Sequence, residues 1–456
     1  MSNNKYKKYQ KIILFAINIT IWVLLVGAFI FTWLNYYHVD LAKTRRFVKR
    51  GHYLIFALYG IVLFLFTQVY GGYKVGYYRK TDVMFSATLA MLFTNILTYL
   101  QISLLLYRLA DARPMIILSL VDFVFLVIWS FSANSIYFKL YPPHQILMIY
   151  EGKQMSKDLV YKMSKRSEKY NIIKAINIDY GLDEINKEIP NYDAVLISDV
   201  NSSIRNKIVK LCYHNNICIY TTPKISDIII RGAKEITLFD TPILMTEAFG
   251  LSFEQSLAKR IMDIIISIIG IIISLPFMII TAIAIKLEDR GPILYKQDRL
   301  TLNGKVFQVY KFRSMIIDAE KENGAVLAKK GDERITKVGK IIRKIRFDEL
   351  PQLFNIFSGD MSVVGPRPER PEIAKEYEES MEEFSYRLKV KAGLTGYAQV
   401  IGKYNTTPYD KLKMDLMYIN NYSLLMDIKL ILMTVKILFV SESTEGINED
   451  QTTAQR

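Results

Sequence analysis

Five long apolar stretches constrain this 456-residue chain more than any other feature of its sequence. Four precede residue 140, and each has the ~20 residues, at ~1.5 Å per residue, that a helix needs to cross a bilayer. They cover residues 12–34, 53–72, 83–107 and 115–136. Apart from Asp122, no acidic residue or histidine lies deep within them. We therefore predict a four-helix transmembrane domain over residues 1–140, an anchor or partner contact rather than an ion pathway.

Charge around these stretches indicates the kind of partner. Half of the residues are apolar (51%), 23% are charged, and the net charge is +15, which favours anionic partners such as lipid headgroups, nucleotides or nucleic acid. Much of the positive charge flanks the apolar stretches, so we expect a membrane surface and no nucleic acid. The first stretch lacks a small-residue cleavage site, which predicts an anchor rather than a signal peptide. Basic residues occur in loops on both sides, so orientation stays open.

Residues 141–250 have a different pattern, in which short apolar runs alternate with polar helical segments. The runs at 146–150, 172–176, 194–197 and 217–220 predict parallel strands, and therefore a Rossmann-like α/β domain. A single glycine, Gly152, and an acid, Glu151, follow the first run, where a dinucleotide fold would hold a pyrophosphate. We predict a structural or regulatory module. Cys212 and Cys218 are interpreted as small core residues, because four-ligand zinc spacing is absent.

The fifth apolar stretch, residues 261–285, would form a helix about 37 Å long. Hydropathy alone predicts another span. However, Pro276 falls near its middle, where it cannot donate to the Ile272 carbonyl and kinks a helix, and Ser274 could satisfy the freed group. Basic residues at both ends indicate that both face the cytoplasm: Lys259, Arg260, Lys286 and Arg290. A re-entrant helix and a fifth span both remain open at this point.

The chemistry available after residue 250 is limited, because every histidine and cysteine precedes that position. Ser-His and Cys-His nucleophiles and His-bound zinc are thereby excluded from this part of the chain. The adjacent acids Asp348 and Glu349 are the leading catalytic candidates. Pro351 suits the first turn of a helix, which would put Asp348 at or near its N-cap, where the helix dipole favours anions. An ordinary acidic helix start is the simpler explanation of the bare pair.

Several cations surround this pair in the sequence. Arg367 stands between two prolines, on a stiff extended backbone that suits forked contact with a phosphate. Lys311 and Arg313 follow a strand-like run at 306–310. Residues 335–345 place basic side chains largely on one helical face and four apolar side chains on the other: Ile335, Val338, Ile342 and Ile345. That pattern suits either a helix in the lipid headgroup layer or the solvated face of a core helix.

Taken in order, the motifs between residues 285 and 440 resemble those of the bacterial sugar transferases, the monotopic polyprenyl-phosphate phosphoglycosyl transferases. The matching motifs are Tyr295-Lys296-Gln297-Asp298-Arg299, Lys311-Phe312-Arg313-Ser314-Met315, Asp318-Ala319-Glu320, the run from Asp348-Glu349 to Gly365-Pro366-Arg367-Pro368, Gly393-Leu394-Thr395-Gly396, Asp415-Leu416-Met417-Tyr418 and Asp427-Ile428. Thr301 departs from the family's Gln-x-Arg-x-Gly pattern. Four spans plus an α/β domain resemble the large form of the family, which starts capsule, exopolysaccharide or O-antigen repeat units.

The resemblance implies a mainly α catalytic domain over residues 251–440, with a re-entrant helix at 261–285 and interfacial amphipathic helices. The polar segment 441–456 is predicted to be a disordered tail. The family's chemistry would make Asp348 the nucleophile that attacks the sugar-proximal phosphorus of a UDP-sugar and releases UMP. The phosphosugar would then pass to undecaprenyl phosphate. Glu349 would bind Mg²⁺ and Arg367 would hold the phosphate.

Three further cations are weaker phosphate-binding candidates, since each could instead pair with a phospholipid or an internal acid: Lys311, Arg313 and Arg299. The resemblance also implies a multi-pass protein of the bacterial inner (cytoplasmic) membrane, with its catalytic domain on the cytoplasmic face. A homodimer, contacts with downstream glycosyltransferases and the identity of the sugar stay open. The alternatives are a membrane scaffold without chemistry, against which the complete Asp348, Glu349 and Arg367 set argues, and a nucleic-acid binder, for which no motif exists.

Overall fold

A computed structural model describes residues 9–43, 51–246, 250–317, 332, 334–402 and 406–438. The chain divides into two compact units, Met1–Thr222 and Pro223–Arg456. The motif Asp318-Ala319-Glu320 and the predicted tail at 441–456 lie outside the described residues. The predicted domain boundaries stay predictions.

The first unit begins with apolar helices that share one core. They are α1 (Gln10–Thr32), a π-helical turn (Trp33–Tyr37), α2 (His38–Lys43), α3 (Gly51–Tyr70), α4 (Lys80–Leu106) and α5 (Arg113–Leu140). Phe29 stacks on Tyr59 with ring centroids 3.9 Å apart. The Tyr59 hydroxyl donates to Asn95 (2.9 Å), and the Asn95 amide donates to Ser119 (2.9 Å). These three polar side chains therefore satisfy one another inside the helices.

The first unit continues as an α/β segment. Its elements are β1 (His144–Tyr150), α6 (Lys153–Ser164), β2 (Tyr170–Asn177), α7 (Leu182–Glu188), β3 (Ala194–Ser198), α8 (Ser202–His214) and β4 (Cys218–Thr221). The strands are parallel in the order β2-β1-β3-β4. After β1, the Glu151 carboxylate accepts the Asn201 N–H (2.7 Å), so an acid occupies the position where a pyrophosphate would bind. The Rossmann-like assignment and the four-helix membrane domain stay predictions.

The second unit is mainly helical. Its elements are α9 (Ile225–Arg231), β5 (Lys234–Leu238), β6 (Thr241–Met245), α10 (Phe253–Asp289), β7 (Leu294–Leu300), β8 (Val306–Phe312), α11 (Lys337–Lys344), α12 (Gln352–Ser358), β9 (Ser362–Val364), α13 (Pro371–Ser380), β10 (Gly393–Thr395), α14 (Tyr397–Ile401), α15 (Pro408–Asn420) and α16 (Leu424–Leu438). Strands β5–β6 and β7–β8 pair antiparallel, and β9–β10 pair parallel. These small sheets connect helices that pack around one core.

Helix α10 contains the fifth apolar stretch. It begins at Phe253, after a capping box formed by Ser252 and Gln255, and continues through Pro276 to Asp289. The Ser274 hydroxyl donates to the Gly270 carbonyl (2.6 Å). This corrects the prediction that Ser274 serves the carbonyl of residue 272, because a helical serine reaches the carbonyl four residues before it. The re-entrant form at 261–285 stays a prediction.

One face of α10 packs against its own unit along the length of the helix. Near its start, the Asp263 carboxylate accepts hydrogen bonds from the Ser362 hydroxyl (3.0 Å) and the Val363 N–H (2.9 Å) of β9. Near its end, the Glu288 carboxylate accepts the Lys337 N–H (2.8 Å) at the start of α11. Large apolar side chains on the other face are exposed, including Ile261, Ile265, Ile272, Ile280 and Ile283.

Among the described residues, five helices are long and apolar enough to cross a membrane. They are Gln10–Leu41, Gly51–Tyr70, Lys80–Leu106, Arg113–Leu140 and Phe253–Asp289. Each apolar stretch seen in the sequence coincides with one of them, although the second and third stretches extend two residues and one residue beyond the helix ends. The length and composition of these helices are therefore those of a membrane protein. The burial of polar groups inside the helices favours the same conclusion.

Candidate functional site

The predicted catalytic pair lies in a 3₁₀ turn, Phe347–Glu349, that follows a left-handed residue, Arg346 (φ 57°). Helix α12 begins only at Gln352, with Pro351 before it. We predicted that Asp348 lies at or near the N-cap of this helix, and in the structure the N-cap is Pro351, three residues later. Leu350 and Pro351 already have helical dihedral angles, so the turn leads directly into α12 and its first N–H groups lie beyond the pair. A positive φ at a bulky residue is a local strain of the kind that concentrates at functional sites.

Glu349 lies between two cations. Its Oε1 atom is 3.4 Å from the Lys311 Nζ and 3.3 Å from the Arg367 Nη2, and its side chain is 16% exposed. Burial alone would raise the pKa of Glu349, but Lys311 and Arg367 outweigh it and lower that pKa to about 2. Glu349 is therefore a fixed anion that holds two predicted phosphate-binding residues, from distant parts of the sequence, at one point.

Asp348 has the opposite electrostatic environment. Burial, followed by the negative charge of Glu349, raises the pKa of Asp348 to about 6, although Lys311 opposes the rise. Adjacent acids whose pKa values are driven apart are typical of sites in which two carboxyl groups have different tasks. The structure thus separates a permanently charged Glu349 from a more basic Asp348.

Lys311 reaches Glu349 because β8 is locked to α12. The Asn355 side chain accepts the Tyr310 N–H (2.9 Å) and donates to the Gln308 carbonyl (2.8 Å). Asn355 is 1% exposed, and its bonds fix the strand residue next to Lys311. We did not predict this role from the sequence. The available signal was an amide within the apolar run that forms α12, where a buried polar group needs partners.

The loop that carries Arg367 is held at successive peptide groups. Gly365 N–H donates to the Thr395 carbonyl (2.8 Å), and the Pro366 carbonyl accepts the Gly393 N–H (2.9 Å). Arg299 Nη1 donates to the Pro368 carbonyl (3.1 Å). The structure therefore places Arg299 against the backbone of this loop, and burial lowers the pKa of its guanidinium to about 10.

Arg313 is a sequence candidate that the structure places against a different acid. Its guanidinium forms an ion pair with Asp289 at the end of α10, and the side chain is 8% exposed. A Cβ atom at Gly291 would clash with its Nη1, so the guanidinium packs directly on the backbone there. This is the internal-acid alternative that the sequence left open for Arg313.

Thr301, the departure from the family pattern, is accommodated without strain. Its φ of −132° is open to any residue. Its hydroxyl donates to the Asp360 carbonyl (2.9 Å) and accepts the Ala392 N–H (3.2 Å). The side chain therefore joins two loops in the place where glycine would leave only backbone.

The donor set of this site fits Mg²⁺ on the condition that substrate phosphates supply further ligands. Among the described residues, no three His, Cys, Asp or Glu side chains lie close enough together to hold a metal ion. Both cations contact the same oxygen of Glu349, Oε1, so its Oε2 is directed away from those contacts. Mg²⁺ is commonly held by one or two carboxylates together with substrate phosphates. The residues present fit that arrangement.

A long apolar helix packed on a helical domain, with a partly buried carboxylate pair beside two cations, defines a membrane-associated protein whose site suits anionic ligands. A sequence profile of the bacterial sugar transferase family matches residues 254–441. An exopolysaccharide production protein of Rhizobium leguminosarum bv. phaseoli is 40% identical over 196 residues, which are 41% of this chain and 96% of that protein. The chain therefore belongs to the bacterial sugar transferase family.

Two further relatives have names that describe an activity. A putative undecaprenyl-phosphate N-acetylgalactosaminyl 1-phosphate transferase of Bacillus subtilis is 51% identical over 130 residues, 28% of this chain and 72% of that protein. A UDP-N-acetylgalactosamine-undecaprenyl-phosphate N-acetylgalactosaminephosphotransferase of Aeromonas hydrophila is 42% identical over 183 residues, 40% of this chain and 43% of that protein. The chain spans about half the length, or less, of several curated relatives that it matches.

Proposed function

We propose that this protein transfers a sugar 1-phosphate from a UDP-sugar to undecaprenyl phosphate and releases UMP. The single observation that carries the proposal is the contact of Lys311 and Arg367 with Glu349, beside an Asp348 of raised pKa. The arrangement provides a basic carboxylate next to positive groups that suit a diphosphate. The printed names of the relatives, which combine undecaprenyl phosphate with a sugar phosphate, support the same reaction.

Asp348 is the proposed nucleophile. A carboxylate oxygen forms a bond to the sugar-linked phosphorus, and the bond from that phosphorus to the bridging oxygen breaks, so the electron pair leaves with UMP. In the second step, an oxygen of undecaprenyl phosphate attacks the same phosphorus and the Asp348 carboxylate leaves. The product is an undecaprenyl diphosphate-linked sugar. The raised pKa of Asp348 favours this role, because a more basic carboxylate is a better nucleophile.

Glu349 and the two cations would prepare the site for the diphosphate. Lys311 and Arg367 are fixed before the substrate arrives, so little reorganisation accompanies charge development on the transferring phosphoryl group. Arg367 is half-exposed at its side chain (47%) and can turn a guanidinium edge toward a ligand. Glu349 would hold Mg²⁺ together with the substrate phosphates, and the bound ion would neutralise phosphate charge.

The position of the site next to α10 supports a lipid acceptor. Phe347, the residue before Asp348, packs on Phe277, the residue after Pro276, with ring centroids 5.7 Å apart. The catalytic pair therefore lies beside the middle of the apolar helix, and Phe277 itself is 49% exposed. An acceptor that carries its phosphate at a membrane surface could reach Asp348 from this side.

The contacts of α10 favour the re-entrant form over a fifth span. Asp263 is bonded to β9, and Glu288, 25 residues later, is bonded to α11, although both partners belong to one compact unit. A helix of that length that crossed the bilayer would separate its ends by about 37 Å and leave the packed elements within lipid. We propose that both ends lie on the cytoplasmic face of the inner membrane.

Helix α11 supports an interfacial position for the same unit. Ile342 is buried, whereas Ile341 and Ile345 are 64% and 46% exposed beside Lys340 and Lys344. We predicted that Ile345 shares the face of Ile342. The helix ends at Lys344, so Ile345 leaves that face. Exposed isoleucines between lysines suit the headgroup layer of an anionic membrane. A homodimer and contacts with downstream glycosyltransferases remain predictions.

A panel of UDP-sugars tests the proposal. Membranes that contain the full chain are incubated with each UDP-sugar, undecaprenyl phosphate and Mg²⁺, and UMP is measured. We expect UMP release with at least one sugar, and its loss when Mg²⁺ is chelated. Inactivity with a broad panel would contradict the proposal and favour a membrane scaffold that kept the fold without the chemistry.

A further inference from the structure

Behind the Arg367 loop lies a second arginine that the proposed reaction does not use. Arg387 is 5% exposed and lies in the 3₁₀ segment Glu382–Lys389. Its Nη2 atom is 2.8 Å from the Asp415 carboxylate of α15 and donates to the backbone carbonyl of Arg367 (3.0 Å). Asp415 is 1% exposed. A buried ion pair therefore contacts the peptide group of Arg367, the residue proposed to hold phosphate.

This contact completes the support of the loop. The carbonyls of Pro366 and Pro368 are held by Gly393 and Arg299, and Arg387 holds the carbonyl between them. Arg367 also precedes a proline, which restricts it to an extended backbone. Its Cα position is thus set, and the direction in which its side chain leaves the backbone follows from the orientation of the peptide group that Arg387 fixes.

The chemistry of the pair suits positioning better than stability. Burying two charges costs several kcal/mol per ion before their attraction is counted, so a buried pair is weak support for a fold. An arginine is required for the observed contacts, because Nη2 serves Asp415 and the Arg367 carbonyl while Nη1 lies 3.6 Å from Glu369. The Phe384 ring lies 4.9 Å from the guanidinium and limits its movement.

We propose that Asp415 and Arg387 are positioning residues for Arg367: the buried pair orients the Arg367 peptide, and thereby aims its guanidinium at the diphosphate of the donor. The inference rests on the proposed function only in that Arg367 binds the diphosphate. Neither Asp415 nor Arg387 touches substrate in this role. Their effect on binding and rate therefore passes entirely through the Arg367 side chain.

A double-mutant cycle tests this dependence. Arg387→Gln is combined with Asp415→Asn, so that neither member of the buried pair is left as an unpaired charge, and the double change is made with and without Arg367→Gln. The Kd of the full chain for UDP with Mg²⁺, and the rate of UMP release, are measured. We expect the paired change to weaken UDP binding about tenfold in the parent protein and by less than about twofold in the Arg367→Gln protein, since residues that act as a unit are not additive. Equal losses in both backgrounds would overturn the inference.

Two controls separate positioning from folding. Asp410→Asn makes the same chemical change five residues earlier on α15, where the carboxylate lies 3.6 Å from Lys413, and should leave UDP affinity unchanged. Arg387→Lys keeps the charge opposite Asp415 and should recover part of the lost affinity only while Arg367 is present. Recovery of equal size in the Arg367→Gln background would overturn the inference, because it would show a role that bypasses Arg367.

The two readouts distinguish this inference from the proposed function. A non-additive UDP-binding cycle without UMP release from any UDP-sugar would leave the positioning role standing and contradict the proposed reaction. Normal UMP release with an additive UDP-binding cycle would support the proposed reaction and overturn the positioning role. A wild-type protein that binds no UDP would overturn the positioning role, since Arg367 would then hold no diphosphate.

Discussion

The two units of this chain bury polar groups in opposite ways. In the apolar helices of the first unit, the described buried polar side chains are hydroxyls and amides, apart from Asp122. Thr94 and Thr98, for example, donate to carbonyls four residues before them. The second unit instead buries ions in contact, with Lys259–Asp427 at 2.6 Å and Arg387–Asp415 at 2.8 Å.

The difference shows where this protein tolerates an energetic cost. A buried hydroxyl that donates to a carbonyl of its own helix has its hydrogen bond satisfied at little energetic cost. A buried ion pair, by contrast, is often no more stabilising than apolar side chains of the same volume. In the second unit, the pairs lie behind the elements that carry the predicted site: Tyr418, whose hydroxyl donates to Asp427 (2.7 Å), also lies 3.4 Å from the Val364 carbonyl at the end of β9. The buried ion pairs cited here therefore belong to the unit in which we propose the chemistry.

The largest expected effect comes from Asp348→Asn. An amide cannot form the phosphosugar bond, so we expect UMP release and the covalent adduct, measured by mass spectrometry, to fall about a thousandfold or more. Asp199→Asn in the first unit is the matched control, and should keep the wild-type rate. Normal turnover by the Asp348 variant would exclude the covalent mechanism.

The next effect is on stability. Asp427→Asn leaves Lys259 as an unpaired buried charge, since the two side chains are 0% and 6% exposed. We expect a loss of about 3–5 kcal/mol in the free energy of unfolding. For contrast, Glu184→Gln removes the partner of Lys187 in an exposed pair of the first unit, and the loss should be far smaller because water screens an exposed pair. Equal losses, measured by denaturation of the full chain in detergent, would erase the distinction between the units.

Local features of this architecture were predictable from the sequence. The apolar stretches predicted the long helices, and the alternating runs predicted the parallel strands, because both patterns depend on a local period. The ordered motifs also indicated the family, which the family profile and the similarity to known members confirm. The end of α12 is an equally local feature: its C-cap is Gly359 with a φ of 95°, which glycine adopts without strain.

Long-range partners were not predictable in the same way. Lys311 and Arg313 are two residues apart and looked equivalent, yet one contacts Glu349 and the other Asp289. Arg387 showed no signal of its own, because its importance comes from the fold that brings it under Arg367. Spacing along the chain predicts which faces residues share, but the choice among several nearby acids is made by tertiary packing.

The pH dependence of the reaction should report the separation between the two acids. Because the pKa of Asp348 is raised to about 6, its carboxylate form is lost as the pH falls through that value. We expect the rate of adduct formation to fall about tenfold per pH unit below 6. Lys311→Met should move the midpoint to higher pH, since the positive charge of Lys311 lowers the pKa of Asp348. A midpoint that stayed in place would indicate that another group controls the profile.

The smallest expected effect tests the first unit alone. Tyr59→Phe removes the hydroxyl that donates to Asn95 between α3 and α4, while it keeps the ring that stacks on Phe29. Hydrogen bonds between helices in membranes contribute on average about 0.6 kcal/mol, so unfolding should become easier by about that amount. UMP release should not change, because no step of the proposed reaction involves this interior. A catalytic loss of several-fold at unchanged stability would instead assign the first unit a part in the chemistry.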